Sequence, residues 1–288
     1  MDLAFAVFLQ VVTGVATLLI ISLGLAVIFG MMRVINLAHG EFLMLGAYSA
    51  IVSARAGLNI WVAMLIVAPI VVGVIGAVVE RLVIRRLYGR MLDTMLATWG
   101  LSLALIGAVT MIFGNSVSGF SAPLGSISIG GFRSSSYALF LIGAAVVLLV
   151  GTWAVLRLTP AGLIARATMQ NPDMAAALGV SPGRVYAVTF AAGAALSGLA
   201  GALIAPFSGV VPTMGTVYIA RAFITVVTGG AAMLAGTLSA SALLGSVSTL
   251  GTFFTTPVLG EVIMLGIAIV LLRLLPRGIT GRFFRRSL

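Results

Sequence analysis

Long apolar stretches, separated by a few polar positions, dominate the sequence. Crossing the hydrocarbon core of a bilayer takes about 20 apolar residues in a helix. Seven stretches have or approach this length, at roughly 4–29, 41–55, 60–79, 92–113, 137–157, 185–206 and 258–275. The second is short for a full crossing, so we expect it to be tilted or extended. The pattern predicts an all-α polytopic membrane protein with about eight transmembrane helices plus broken or re-entrant segments.

Arginine positions predict the orientation, because cytoplasmic loops next to membrane spans are rich in basic residues. With the N-terminus outside and the C-terminus inside, three arginines are external: Arg55, Arg133 and Arg221. The other thirteen are then cytoplasmic: Arg33, Arg81, Arg85, Arg86, Arg90, Arg157, Arg166, Arg184, Arg273, Arg277, Arg282, Arg285 and Arg286.

A further apolar stretch, 216–248, is interrupted by Gly229, Gly230 and Gly236. The predicted orientation requires an odd number of crossings after the outer loop near 207–215, and the last span supplies one. The stretch must therefore begin and end on the same side of the membrane, either as two tilted helices or as a re-entrant pair broken at the glycines. Such a break is tolerated only where protein or a water-filled cavity covers it.

The composition agrees with a chain that lies mostly in the membrane. Hydrophobic residues make up 61% of it and charged residues 8%, and the mean hydropathy is +1.25. Soluble domains carry about 25% charged residues. We therefore expect residues 1–288 to form a single transmembrane domain. Residues 1–29 lack both a basic start and a small-residue cleavage site, so we expect a retained span rather than a signal peptide.

Several classes of chemistry are disfavoured by residues that the sequence lacks. All 16 basic residues are arginines, and the phosphate-binding loop of nucleotide hydrolases needs a lysine. There is no cysteine, and one histidine with six scattered carboxylates makes neither a metal cluster nor an acid/base pair. We expect no enzymatic activity, no cofactor and no metal site. The net charge of +10 is explained by arginines beside membrane spans, so we expect no nucleic-acid partner.

The segment "RVINLAHGE" places Arg33, Asn36, His39 and Glu41 between two apolar stretches. One interpretation is a solvated turn, in which Arg33 reaches the interface and Glu41 stabilises the start of the next helix. The other is that Asn36 and His39 form hydrogen bonds that fix a helix break beside a translocation route. For Asn36 and His39 we favour the second interpretation, and for Arg33 and Glu41 the first stays open as an alternative.

The polar segment 158–184 is the longest on the predicted cytoplasmic side. Within it, "NPDMAAALG" predicts a short helix with Asn171 at the N-cap, Pro172 at the first position and Gly179 at the stop. Such a helix is suited to docking in a groove of another protein, and the alternative is a connector on the membrane surface. Elsewhere, Gly193, Ser197 and Gly201 lie four residues apart, a spacing typical of tight helix packing.

Both segments are similar to signature regions of a known family. "GLAVIFGMMRVINLAHGEFLMLGAYSA" and "GLIARATMQNPDMAAALGVSPGRVYAVTFAAGAALSGLAGAL" resemble inner-membrane permeases of bacterial ABC importers for branched-chain amino acids and amides. The resemblance covers nearly the whole chain and includes "VVTGGAAMLAGTLSASALLG" and "LLRLLPRGI". The forms "LDTMLATWGLSLAL" and "GGxxxLAGT" are more similar to the urea-type permeases. The chain departs from that subgroup at 103–106, where a glutamine is expected nearby, and at 229–232, where "GGxG" is usual.

The resemblance implies a permease of the bacterial inner membrane that works with partners. These are a second homologous permease subunit, two ATP-binding ATPase subunits and a periplasmic solute-binding protein, with membrane lipid around the helices. The implied substrates are branched-chain amino acids or small amides such as urea. The rival interpretations are a facilitative channel or secondary transporter without ATPases, and a scaffold subunit of a membrane complex.

Two sets of site residues follow from the motifs and the resemblance. The expected pathway residues are Asn36, His39, Glu41, Thr98, Ser102, Thr228, Gly229 and Gly230. The expected ATPase-coupling residues are Arg166, Asn171, Pro172, Asp173, Ala175, Ala176, Leu178 and Gly179.

Overall fold

A computed structural model describes residues 2–129, 132–230 and 232–282, and this part of the chain is almost entirely helical. The first half contains α1 (Asp2–Met32), α2 (His39–Arg55), α3 (Ile60–Val62), a π turn (Ala63–Val67), α4 (Ala68–Leu82), a 3-10 turn (Ile84–Arg86) and α5 (Met91–Phe113). The second half contains α6 (Ser136–Leu158), α7 (Pro160–Gln170), α8 (Pro172–Ala177), α9 (Pro182–Ser208), α10 (Met214–Gly229), α11 (Met233–Phe254), α12 (Pro257–Leu274) and a 3-10 turn (Ile279–Arg282).

The helices confirm the all-α membrane architecture. Within the described residues, seven helical segments are long and apolar enough to cross a bilayer, and α10 is a shorter apolar helix. The stretch 216–248 forms two helices, α10 and α11, that separate just after Gly229. One feature was not predicted: β1 (Ser126–Ile129) pairs antiparallel with β2 (Phe132–Ser135) in a short hairpin before α6.

The chain divides into two compact units. The terminal unit comprises residues 1–22, 121–149 and 221–288, and the central unit comprises residues 23–120 and 150–220. The division separates the expected pathway residues. Asn36, His39, Glu41, Thr98 and Ser102 belong to the central unit, whereas 228–230 belong to the terminal unit.

In the central unit, α2 packs against α4 and α9 and is buried along most of its length. The Phe42 and Phe190 rings meet edge to face with centroids 5.9 Å apart, a favourable aromatic geometry. The backbones approach so closely that a methyl group at Gly46 would overlap the Gly198 carbonyl. A methyl at Gly201 would likewise overlap the Leu43 carbonyl. The small-residue face of α9 therefore packs helices tightly, as its spacing predicted.

In the terminal unit, α11 packs against α12, and the start of α1 packs against α11. Small residues allow both contacts. Gly14 of α1 lies against the Thr249 side chain, and Gly245 lies against the Val15 backbone. Gly260 of α12 lies against Thr252. These contacts bring α1, α11 and α12 together around a shared space.

Candidate functional site

The break between α1 and α2 is a defined local structure. Helix α1 ends because Arg33 takes a left-handed backbone conformation, with a φ of 53° that is uncommon for a residue with a side chain. The Asn36 side-chain oxygen then accepts a hydrogen bond from the Ala38 amide at 3.0 Å. The His39 amide donates to the Asn36 carbonyl at 3.3 Å, and α2 begins. Asn36 thus shapes the turn, as the pattern of polar residues predicted.

Thr98 of α5 satisfies a second backbone group of the break. The Leu37 amide donates to the Thr98 hydroxyl at 3.1 Å, and this hydroxyl donates to the Thr94 carbonyl at 2.8 Å. Buried backbone amides are costly when they have no partner. Thr98 therefore attaches the interrupted backbone to α5.

His39 attaches the break to α9. Its Nδ1 atom lies 3.1 Å from the Ser197 hydroxyl, and both side chains are fully buried. The Ser197 hydroxyl donates its single proton to the Gly193 carbonyl at 2.8 Å. The His39 ring and the Gly193 carbonyl thus share the Ser197 hydroxyl as a hydrogen-bond partner. The single histidine of the sequence is a buried link between helices.

Glu41 corrects one interpretation of this segment. Arg33 is exposed, which agrees with a solvated turn. Glu41 is only 1% exposed, so it does not lie in water. Its carboxylate interacts with Ser102 of α5, and neither oxygen has a hydrogen bond of normal geometry among the described residues. The start of α2 thus holds a buried carboxylate two positions along the chain from a buried histidine.

The break after α10 is held by the segment that follows α12. The Thr280 hydroxyl donates to the Gly229 carbonyl at 2.6 Å and accepts from the Ala232 amide at 3.1 Å. Gly230 has a φ of 83° and lies against the backbone of Arg277 and Gly278. A Cβ at Gly229 would overlap the backbone of Gly236, so close backbone contacts explain the glycines at both 229 and 230. Sequence reasoning missed Thr280 and Gly278, for which the only signal was the segment "PRGITG".

The polar segment after α6 carries the short helix that its sequence predicted. The Asn171 side chain caps α8 by accepting from the Met174 amide at 2.9 Å. At the other end, the Gly179 amide bonds to Ala176 O at 3.0 Å and the Val180 amide to Ala175 O at 3.0 Å. This pair of bonds is a Schellman motif, with Gly179 at a φ of 84°. Helix α7 precedes α8 directly and was not predicted.

Burial separates the expected coupling residues into two classes. Leu178 of this set exposes 79% of its surface although it is apolar, and Met174 of the same helix, which was not in the set, exposes 59%. Ala175 is buried against the rest of the chain, and Arg166 of α7 is half-buried. The exposed members of the set are Asn171, Pro172, Asp173, Ala176, Leu178 and Gly179.

Three arginines that were predicted to be cytoplasmic lie together near the start of α9. Arg81, Arg85 and Arg184 line one cavity of about 780 Å³. Nearby, Tyr88 donates a hydrogen bond to the Glu80 carboxylate. Burial and this bond raise the pKa of Tyr88 above its ordinary value. Among the described residues, no group of three or more His, Asp or Glu side chains that could hold a metal ion lies together.

A family of known proteins matches this architecture and these motifs. The model of the family described as the branched-chain amino acid transport system / permease component matches residues 7–272. The chain belongs to this family. It is accordingly a transport subunit of the ABC importer family and not an enzyme, and its ATPase and solute-binding partners are separate proteins. The match disfavours a channel that works without ATPases.

Individual relatives cover almost the whole chain. The LivH high-affinity branched-chain amino acid permease of Escherichia coli (strain K12) is 29% identical, over 94% of this chain and 93% of its own length. BraD of Pseudomonas aeruginosa, described as a permease of the same kind, is 28% identical over 95% of both chains. A probable LivH of Methanocaldococcus jannaschii is 27% identical over 92% of this chain and 88% of its own.

One solved structure has a similar fold. It is PsaBC from Streptococcus pneumoniae in complex with Fab, with a TM-score of 0.52 over 96% of this chain and 93% of that one. The sequence identity is 13%, so the likeness concerns the fold alone.

Proposed function

We propose that this permease imports branched-chain amino acids, as one of two homologous permease subunits assembled with two ATPase subunits and a periplasmic binding protein. The family match and the relatives named for branched-chain amino acid transport support this substrate class. The resemblance to urea-type permeases at 92–105 and 229–237 makes a small amide the alternative substrate. The two are separated by measuring uptake of leucine and of urea by the same assembled transporter.

The proposed orientation has the N-terminus in the periplasm and the C-terminus in the cytoplasm. Arginine counts support it. The contact of Gly230 with Gly278 gives further support, because it brings the end of α10 to the segment that follows α12. If α10, α11 and α12 each cross the membrane, α10 and α12 then run in the same direction. This arrangement satisfies the odd number of crossings that the arginines require.

We place the substrate route beside the break between α1 and α2. Asn36, His39 and Thr98 hold the interrupted backbone, and Glu41 and Ser102 add buried polar groups. Polar groups inside a membrane protein are expensive and usually mark a pathway, and an interrupted helix is tolerated only where protein or a water-filled cavity covers it. Thr228, Gly229 and Gly230, which were also expected to line a pathway, belong to the terminal unit, where the segment 277–280 contacts them.

Helix α8 is the proposed contact to the ATPase subunit. The observation that carries this proposal is a rigidly capped helix that presents Met174 and Leu178 to solvent. Exposed apolar side chains on a fixed helix are suited to a groove of a partner. ATP-driven movement of the partner would then shift the permease between two conformations.

A pull-down from native membranes tests this proposal. We expect the intact chain to bring down an ATPase and a second permease. A variant with residues 171–179 scrambled is expected to lose the ATPase while eluting as a folded protein in size-exclusion chromatography. Recovery of the same ATPase with the scrambled helix would contradict the assignment of α8.

His39→Ala is expected to reduce ATP-driven uptake about tenfold or more, because it removes a buried hydrogen bond that joins the break to α9. Assembly with the ATPase should be unchanged, since α8 is untouched. His39→Gln, which keeps a donor group, is the matched control and should retain more uptake than His39→Ala. Normal uptake by His39→Ala would disprove the role of the break in transport.

A further inference from the structure

The terminal unit contains a cavity of about 320 Å³ between four helices. Ligand sites of proteins have volumes of about 300–1,000 Å³, so this cavity suits a small molecule. None of its lining residues was among the expected site residues. They come from α1, α10, α11 and α12, whose close packing at Gly14, Gly245 and Gly260 holds the walls in place.

An ion pair lies on one side of this cavity. The Arg221 guanidinium of α10 bonds to the Glu261 carboxylate of α12. Both side chains remain partly exposed, at 31% for Arg221 and 40% for Glu261. Charged residues within apolar helices are costly and usually serve a function. Since each partner is open to the cavity, each can also bind a charged group of a ligand.

The rest of the lining is divided between polar and apolar side chains. Hydroxyl and amide groups come from α1 and α11, and an apolar patch comes from α1 and α12. The polar residues are Gln10, Thr13, Thr17, Ser248, Thr249 and Thr252. The apolar patch consists of Leu18, Ile21 and Met264.

We infer that this cavity binds the zwitterion of an α-amino acid with a small apolar side chain. Arg221 offers a planar set of donors to the ligand carboxylate, and Glu261 accepts the ligand ammonium group. The ligand replaces one ion pair by two, so the net charge of the site does not change. The branched side chain lies on the apolar patch of Leu18, Ile21 and Met264. A neutral amide such as urea makes use of neither charge.

The inference rests on the proposed function for its substrate class, but binding can be measured without transport. The chain has no cysteine, so a single introduced thiol is unique. Ser248→Cys places a thiol on the cavity wall. Ser246→Cys is the matched control, because Ser246 lies on the same helix outside the cavity and its hydroxyl bonds to Ala242 O at 2.6 Å. The purified full chain is treated with a small water-soluble methanethiosulfonate.

L-Leucine is expected to slow modification of Ser248→Cys and to leave Ser246→Cys unaffected. Leucinamide lacks the carboxylate and 4-methylpentanoate lacks the ammonium group. We expect each to need about tenfold higher concentration for the same protection, since each loses a charge-assisted hydrogen bond. Urea should not protect. Arg221→Gln or Glu261→Gln should weaken protection by leucine about tenfold.

Three results would overturn the inference. They are a Ser248→Cys thiol that does not react, equal protection by leucine and leucinamide, and protection that Glu261→Gln leaves unchanged. The last result would mean that the ion pair only joins α10 to α12. If a charge variant does not fold, the comparison of leucine, leucinamide, 4-methylpentanoate and urea on Ser248→Cys alone decides.

Uptake of leucine by the assembled transporter, without protection of the thiol by leucine, would refute this site and leave the proposed function intact. Protection of the thiol by leucine without ATP-driven uptake of leucine would support this site and contradict the proposed function.

Discussion

Gly201→Val is expected to prevent the chain from accumulating as a folded membrane protein. A Cβ at Gly201 would overlap the backbone of Leu43 in the buried helix α2, which no side-chain rearrangement can relieve. Overpacking a tight core costs about 1–3 kcal/mol even where side chains can move, so a clash with backbone should cost at least that. Monodisperse yield in size-exclusion chromatography of a fluorescent fusion is the measurement.

The matched control for this substitution is Gly107→Val in α5. A Cβ there meets nothing within 4 Å, so the folded yield should stay close to that of the unchanged chain. Equal yields of the two valine variants would mean that α2 and α9 do not pack as closely as described. They would also remove the explanation for the small-residue face of α9.

Leu178→Asp is expected to reduce ATP-driven uptake about tenfold or more while the chain folds normally. Leu178 is exposed at the end of α8, so folding does not depend on it. Buried apolar anchors of an interface contribute about 2 kcal/mol or more, and a carboxylate in their place would be desolvated without a partner. The measurement is initial uptake by the assembled transporter, together with the amount of ATPase that co-purifies.

Leu58→Asp is the control for the charge itself. Leu58 is also an exposed leucine, and it lies in the turn between α2 and α3. Uptake by this variant should remain near normal. If Leu58→Asp and Leu178→Asp reduce uptake equally, exposure of α8 is not the reason for the effect, and the docking proposal would be wrong.

The sequence predicted features that depend on short-range chemistry. Apolar length predicted most of the helices, and the order of Asn171, Pro172 and Gly179 predicted both ends of α8. The spacing of Gly193, Ser197 and Gly201 predicted a packing face. Each of these signals lies within one helix and needs no knowledge of the neighbouring helices.

Features that depend on contacts distant in sequence were not predicted. Ser197 is 158 residues away from His39, and nothing in either segment indicates the bond between them. Thr280 holds the Gly229 carbonyl across 51 residues. Arg221 was counted only as an external charge, because its partner Glu261 lies on another helix.

We propose that this permease moves its substrate with energy from ATP hydrolysed by a partner subunit. Proteoliposomes that contain the co-purified assembly and the binding protein test it with radiolabelled leucine. We expect leucine to accumulate against its concentration gradient on the side of the membrane that carries the ATPase subunits. This accumulation should occur only when hydrolysable ATP is present on that side. Equilibration of leucine without ATP, by liposomes that contain this chain alone, would contradict the account and identify a channel.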